Sequence, residues 1–272
     1  MLLIKNNLMA VNATRHLGNS YNALASSVER LSSGMRINSA RDDAAGLAVR
    51  ELMRADIGVI QQAVRNAQDG ISLLQTMEGA MATIDDALVR MQQLAEQAAT
   101  GSYSSAQRAI MESEFQEIRS EIDRVAGSTE FNDIKMLDNS ATVSIHIGKL
   151  TTDSISVTGS NVTSASSGLN ITGLTIANAA SAQSAVTALD SAITTKDTAR
   201  GTFGYKMNRL ENAISVLNIQ AENLQAAESR ISDVDVATEM AEMTRKLVLA
   251  EAGMSILAQA NIIPKMALKL FK

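Results

Sequence analysis

The 272-residue sequence contains no cysteine and no tryptophan, and Pro264 is its only proline. Without cysteine the chain can form neither disulfides nor thiolate metal sites. Because proline interrupts helices, its absence before position 264 allows long helices to run unbroken. Only 3% of the residues are aromatic. The abundant Ala, Leu, Ile, Met, Gln and Glu favour a helical protein over a core of bulky rings.

Charge and hydropathy narrow the range of partners. The net charge is -5 at pH 7, with mildly basic ends and an acidic middle. No dense basic stripe alternates with aromatic residues, so we predict no nucleic-acid partner. The sequence has no run of eighteen apolar residues, and its first residues do not match a cleaved secretory signal. We therefore also predict no membrane partner.

The two ends carry the clearest helical periodicity in the chain. Apolar residues recur every three or four positions at the N-terminal end (Leu17, Tyr21, Leu24, Val28, Leu31) and at the C-terminal end (Met240, Met243, Leu247, Ala250, Met254, Leu257). Such spacing is typical of coiled-coil seams. A helix with one apolar stripe is not stable alone in water. The pattern therefore predicts that both ends are buried against each other or against other chains.

The middle of the chain predicts further helices and one β region. The three-four rhythm continues over 44–99, and a turn at 100–105 leads to a shorter helix. Alternating β-branched residues and glycines between 140 and 176 predict a small hairpin region. Two more helical patterns follow, around 182–193 and 210–231. The predicted fold is mainly α: a long antiparallel helical coiled-coil rod with a small β-hairpin region and paired N- and C-terminal helices.

No catalytic, cofactor or metal site emerges from the polar residues. His16 and His146 each lack a second ligand at metal spacing. The Gly148-Lys149 pair has neither the upstream glycine nor the following Ser or Thr of a phosphate loop. Paired aspartates such as Asp42 and Asp43 are better explained as helix caps than as cation ligands. We predict that the protein is not an enzyme.

Several longer segments carry a family resemblance. They are RLSSGMRINSARDDAAGLAV (30–49), RNAQDGISLLQTMEG (65–79), EIDRVAGSTEFNDIKML (121–137), RLENAI (209–214), ENLQAAESRISDVD (222–235) and LAQAN (257–261). In this order they closely resemble bacterial flagellin. The resemblance implies a structural subunit that self-assembles into the helical flagellar filament used for swimming.

The resemblance also implies a domain plan. An inner coiled-coil domain would be formed by 1–34 and 235–272, and a connecting spoke by 35–46. An outer rod domain would cover 47–234 and include the hairpin region at 140–176. Larger family members carry inserted outer domains after the hairpin, and this chain has no room for them.

We predict that eleven apolar residues of the terminal seams mediate self-assembly. They are Ile4, Leu8, Val11, Leu17, Leu24, Val28, Leu31, Met243, Leu247, Met254 and Leu257. Because each seam lacks partners in the monomer, we expect the ends to become ordered on incorporation into a homopolymer. The resemblance implies secretion through the flagellar export apparatus to the extracellular flagellum, with an export chaperone, cap and junction proteins as further partners.

A host partner is a further implication of the resemblance. The resemblance implies that the protein is a ligand of the flagellin-sensing toll-like receptor. The positions that match the receptor-contact residues of the family are Arg90, Leu94 and Glu114. Arg90 and Leu94 are four residues apart and therefore share a helical face. In the alternative interpretation, Leu94 flanks the seam at Ala95 while Arg90 and Glu114 form a solvated pair.

Two other functions remain as alternatives. One is the hook–filament junction protein of the same superfamily, and the other is a secreted coiled-coil adhesin or translocator that inserts an exposed seam into a membrane.

The resemblance also places the Ser- and Thr-rich stretch 151–167 on the outer face, where O-linked sugars are common.

Overall fold

The computed structural model describes residues 6–270, and this part of the chain forms five helices and one two-stranded antiparallel sheet. The helices are α1 (Leu8–Ser33), α2 (Ala44–Ala99), α3 (Ser105–Ser128), α4 (Ala179–Ser232) and α5 (Val236–Leu270). The strands are β1 (Thr142–His146) and β2 (Ser154–Thr158). The predicted mainly α fold with a small hairpin is confirmed.

The chain divides into two compact units. The first combines the N-terminal segment up to Ala55 with the C-terminal segment from Asn223, and the second extends from Asp56 to Glu222. In the first unit α1 packs against α5. In the second, α2, α3, α4 and the sheet share one hydrophobic core.

α4 differs from the sequence prediction because it is continuous. The two helical patterns around 182–193 and 210–231 belong to one helix. Gly201 and Gly204 lie between them, and each glycine costs about 1 kcal/mol of helix propensity. Phe203, between these glycines, is fully buried in the core. Burial of a large aromatic side chain contributes roughly 1.5–3 kcal/mol, which offsets much of the glycine penalty.

The core of the second unit follows the periodicity of α2. Its fully buried side chains include Leu74, Met77, Met81, Ile84, Leu88 and Met91 from α2, Phe115 and Ile122 from α3, and Leu189, Phe203 and Leu210 from α4. Beside this core, Glu78 on α2 accepts a 3.1 Å hydrogen bond from Arg200 Nη2 on α4. The carboxylate is therefore paired with a positive charge across the two helices.

The hairpin packs closely on α2. Ile145 pairs with Ile155 across the two strands, and both side chains are buried. A Cβ atom at Gly70 would overlap Ile145 Cδ1, so a larger residue here would displace the end of the Ile145 side chain. The strands occupy only the first half of the predicted 140–176 region. Its remainder is irregular and is anchored on α3, where Asp123 accepts 2.7 Å hydrogen bonds from the Ser164 amide and hydroxyl.

One buried charge lies in this unit. The Lys196 side chain on α4 is 2% exposed and pairs with Asp85 on α2 and with Asp197, its neighbour. Burial by itself would lower the pKa of the Lys196 ammonium, but hydrogen bonds to Asp197 and Asp85 outweigh that effect and raise its pKa above the ordinary lysine value. The paired carboxylates therefore make the buried charge tolerable.

Substitutions at this ion pair should have unequal effects. Lys196→Met removes the desolvated charge and leaves two solvated carboxylates, so we expect the free energy of unfolding to stay within about 1 kcal/mol of wild type. The double variant Asp85→Ala/Asp197→Ala leaves a buried ammonium without a counter-charge and should cost about 3 kcal/mol or more. Denaturant unfolding monitored by circular dichroism measures both values. Equal losses in the two variants would contradict this account.

Because the pKa of Lys196 is raised on folding, the free energy of unfolding depends on pH. The pair contributes its full stability below the unfolded lysine pKa of about 10.4, and the contribution disappears as the pH rises through the higher folded pKa. Above about pH 10.5 the stability difference between wild type and Lys196→Met should therefore shift in favour of the variant.

Candidate self-assembly surface

Asn7 both begins α1 and connects it to α5. Its side-chain oxygen accepts a 3.1 Å hydrogen bond from the Ala10 amide, which caps the helix. Its Nδ2 donates a 2.7 Å hydrogen bond to the carbonyl of Ala260. The start of α1 is thus fixed to the C-terminal part of α5.

The other end of the pair is fixed where α1 ends and α5 begins. α1 ends at Gly34, whose φ of 73° is left-handed and favours glycine. The Gly34 carbonyl accepts a 3.0 Å hydrogen bond from the Val234 amide. Asp235 caps α5, and hydrogen bonds from Thr238 and the Ala237 amide hold the pKa of this carboxyl below its usual value. The two termini are therefore tied together at both ends of the α1–α5 pair.

The α1–α5 seam is antiparallel and made largely of small side chains. Asn7 contacts Ala260, while Ser27, twenty residues later, contacts Lys246. Between them, Leu17 lies against Gly253: a Cβ atom at Gly253 would be 3.2 Å from Leu17 Cδ1. The residues that are buried or half-buried along the seam are Ala10, Ala13, Leu17, Ser20, Leu24, Ser27 and Leu31 on α1, and Met243, Lys246, Ala250, Gly253, Leu257 and Ala260 on α5.

The predicted assembly residues divide into two groups. Leu17, Leu24, Leu31, Met243 and Leu257 are half-buried on the α1–α5 pair. Leu8, Val11, Val28, Leu247 and Met254 are 44–63% exposed. Ile4 lies outside the described residues. Exposure in the single chain does not contradict the predicted role of these residues in self-assembly, which stays a prediction. The inner face combines the first group with small residues, whereas the second group lies on the outward faces of the two helices.

The outward faces of both helices are strongly apolar. Further exposed side chains are Met9 and Tyr21 on α1 and Val236, Met240, Val248, Leu249, Ile256, Ile262 and Met266 on α5. Contiguous exposed apolar surface of this kind marks an interaction site. An open groove of about 570 Å³ lies between the helices, lined by Met9, Ala13, Ile256, Ala260 and Ile263 among others. The exposed apolar side chains of both helices are called the outer apolar face. They are Leu8, Met9, Val11, Tyr21 and Val28 on α1, and Val236, Met240, Leu247, Val248, Leu249, Met254, Ile256, Ile262 and Met266 on α5.

α5 is also long and apolar enough to span a membrane. The segment Val236–Ile263 reaches a mean hydropathy of 1.3 over its most apolar stretch, of which only 11% is buried. This result rests on length and composition alone. The sequence prediction missed it because charged residues interrupt every continuous apolar run.

The three residues predicted to contact the receptor differ in how far their side chains are buried. Arg90 Nη2 on α2 donates a 2.6 Å hydrogen bond to Glu114 Oε1 on α3, and both side chains are about half exposed. Leu94 is only 2% exposed and packs in the core. An accessible contact at this place can therefore use the Arg90–Glu114 pair but not the Leu94 side chain. The alternative interpretation of Leu94 as part of the helical seam agrees with this geometry.

No group of three or more His, Cys, Asp or Glu side chains is arranged to hold a metal ion among residues 6–270. Asp42, a predicted cap, accepts hydrogen bonds from the amides and hydroxyl within Asn38–Ser39, and these bonds lower the pKa of its carboxyl. The Asp42 carboxylate thus fixes the backbone at Asn38 and Ser39.

Comparison with known proteins assigns both ends of the chain to one protein family. Residues 4–142 match the bacterial flagellin N-terminal helical region, and residues 186–271 match the C-terminal helical region. The flagellin of Halalkalibacterium halodurans is 42% identical over 272 residues, covering 100% of both chains.

The chain belongs to the bacterial flagellin family.

Two other relatives agree with this assignment. The flagellar filament 33 kDa core protein of Treponema phagedenis is 38% identical over 286 residues, with 100% of both chains covered. The crystal structure of Bacillus cereus flagellin matches at a TM-score of 0.52 and 32% identity, covering 60% of this chain and 94% of that chain. The family resemblance inferred from the sequence segments is confirmed.

The close contact at Gly253 gives a prediction for the α1–α5 pair. Gly253→Leu inserts a branched side chain against Leu17 and should destabilise the pair by about 1–3 kcal/mol through overpacking. Gly253→Ala needs only a small shift of the flexible Leu17 side chain and serves as the control. Trypsin cleavage after Arg245 and Lys246 measures the opening of α5. If both variants were cleaved as slowly as wild type, the close packing at Gly253 would not matter.

Proposed function

We infer that the chain is the structural subunit of a bacterial flagellar filament. The observation that carries this inference is the outer apolar face on the paired terminal helices of a flagellin-family chain. Exposed apolar area stabilises association by about 25 cal/mol per Å² when it is removed from water. The filament is the assembly that would bury this face.

The geometry of the face suits a polymer. Its residues lie along both α1 and α5 and include neighbouring positions such as Leu247, Val248 and Leu249, which point in different directions around one helix. One monomer can therefore contact several neighbours. Contacts between unlike patches that do not close into a ring generate a helical polymer.

Two alternatives are less well supported. The junction-protein alternative is not favoured, because the curated relatives match over their full lengths as flagellin and filament core protein. A membrane-inserting adhesin would use the apolar length of α5. α5, however, presents Met243, Ala250 and Leu257 to α1 in the seam, so insertion would require separating the pair. Flotation of the monomer with liposomes tests this alternative.

The finer elements of the function follow from the family. The chain is proposed to leave the cell through the flagellar export apparatus, assisted by an export chaperone, and to insert beneath a cap beyond the junction proteins. Its extracellular location in the flagellum and its lack of catalytic activity belong to the same proposal. A chain without cysteine cannot become cross-linked by disulfides during such passage.

Two surface roles belong to the second unit. The proposed acceptors of O-linked sugars are the exposed Ser and Thr residues within 151–167. They are Thr151, Thr152, Ser156, Thr158, Ser166 and Ser167, whereas Ser164 is buried.

The Arg90–Glu114 pair is the proposed contact for a host toll-like receptor, because its guanidinium and carboxylate remain half exposed.

The assembly proposal predicts an effect of charge on the outer apolar face. Val28 and Leu247 are 50% and 44% exposed in the monomer, so Val28→Asp and Leu247→Glu should affect folding far less than association. Each change would bury an unpaired carboxylate in the filament, and association should weaken by several kcal/mol. Sedimentation of polymerised protein measures the loss, with the exposed polar substitution Asn22→Asp as the control. Normal pelleting of both apolar variants would refute the proposed surface.

The receptor proposal predicts different outcomes for neighbouring residues. Arg90→Ala should weaken monomer binding to the receptor by about 1–2 kcal/mol while leaving the unfolding free energy nearly unchanged, because exposed ion pairs contribute little stability. Leu94→Ala removes a core side chain and should instead cost about 2–5 kcal/mol of stability. Surface plasmon resonance and denaturant unfolding separate these effects. Unchanged binding of Arg90→Ala would remove this contact from the proposal.

A further inference from the structure

One layer of the α1–α5 seam is polar although its neighbours are apolar or small. Ser27 on α1 is 1% exposed. Its hydroxyl donates to Glu239 and accepts a 2.7 Å hydrogen bond from Lys246 Nζ, both on α5. Glu239 Oε1 and Lys246 Nζ are 4.0 Å apart, with side chains 12% and 24% exposed. Arg30 Nη1 lies 3.8 Å from Glu239 Oε2.

The polar layer adds selectivity to the helix contacts that lie between the two end anchors, Asn7–Ala260 and Gly34–Val234. Outside this layer one apolar contact pairs a large residue with a small one, Leu17 with Gly253. A slip of α5 by one heptad would bring Ala260 opposite Leu17 and Gly253 opposite Leu24, since both steps are seven residues. These pairs are again large against small. Apolar packing alone therefore discriminates weakly between the two registers.

The polar contacts change sharply under the same slip. Ser27 would face Lys246 and Gly253 and lose its carboxylate partner. Arg30 would face Lys246, which replaces an attractive charge pair with a repulsive one. A slip in the opposite direction separates Ser27 from Lys246 and leaves the buried hydroxyl with fewer partners. Either slip leaves buried polar groups incompletely paired, which is costly.

We propose that the Ser27–Glu239–Lys246 layer is a positioning element that sets the register of α1 against α5 between the anchors at Asn7–Ala260 and Gly34–Val234. Buried polar residues have this use in coiled coils, where they specify one alignment without adding stability. Register determines which outward side chains of the two helices lie side by side. The layer thereby aligns the outer apolar face, and this consequence for assembly rests on the proposed function.

The absence of native cysteine allows a direct measurement of register. A Cβ atom at Gly253 lies 3.8 Å from Leu17 Cβ, within the disulfide range of roughly 3.5–4.5 Å. The pair Leu17→Cys/Gly253→Cys therefore reports the observed register. The pair Leu17→Cys/Ala260→Cys reports a one-heptad slip, because positions 253 and 260 are about 10 Å apart along α5.

Each reporter pair is introduced into three versions of the full-length chain. The first keeps the layer. The second replaces it with apolar residues through Ser27→Ala, Glu239→Leu and Lys246→Met. The third is a matched control in which Ser20→Ala, Glu242→Leu and Arg245→Met remove the same residue types from the same helices. Ser20 bonds only within α1, and Arg245–Glu242 is an exposed pair within α5.

The disulfide fractions are measured by peptide mass spectrometry after equilibration in glutathione buffer. With the layer intact, and in the control, we expect the observed-register pair to exceed the slipped pair by about tenfold or more, a difference that corresponds to about one buried polar contact. With the apolar layer the ratio should fall by at least about fivefold while helicity is retained. An unchanged ratio, or an equal fall in the control, would overturn the proposal.

The same samples separate this proposal from the proposed function. Reduced protein with the intact layer is sedimented under polymerising conditions. Failure to pellet would count against filament formation, while the disulfide ratio would still report whether the layer sets register. A layer that merely stabilised the pair would lower the thermal midpoint and leave the ratio unchanged, and that outcome overturns the proposal.

Discussion

The close contact of α1 with α5 is the constraint on which the first unit depends. Alanine, serine and glycine on the inner faces allow the helices to approach, as where Leu17 lies against Gly253. A narrow seam buries little apolar area, so the pair gains only a limited part of its stability from internal packing. Several large apolar side chains, among them Val11 and Leu247, lie outside the seam. Under the proposed function, self-assembly would bury them.

The second unit has a different physical character. Long apolar side chains of α2, α3 and α4 fill a continuous core, and the hairpin covers part of α2 at Gly70. Some of its charged residues are paired across helices, as are Lys196 with Asp85 and Arg200 with Glu78. This unit therefore needs no partner to bury its core. A chain that combines a self-sufficient unit with an incomplete one is suited to form a polymer from folded building blocks.

Periodicity in the sequence predicted the element types because long helices repeat their burial pattern many times. It identified only part of the inner face of the terminal helices, including Leu17, Leu24 and Leu257. It missed most of the small residues, since alanine, glycine and serine give a weak hydropathy signal. Val11 and Leu247 matched the large-residue stripe, yet they are exposed. A three-four spacing in which Leu257 stands among small residues (Ala250, Gly253, Ala260) was the signal that could have found the seam. The polar layer required three-dimensional pairing, because Ser27 and Lys246 are far apart in sequence.

Hydrogen exchange of backbone amides, compared between the monomer and sedimented polymer, tests the central claim most directly. The account predicts that amides of α1 and α5 exchange rapidly in the monomer and become protected in the polymer, because association buries the outer apolar face. Amides in the core of α2, α3 and α4 should be protected in both states. Equal protection of α1 and α5 before and after assembly would contradict the claim that these helices depend on neighbouring chains.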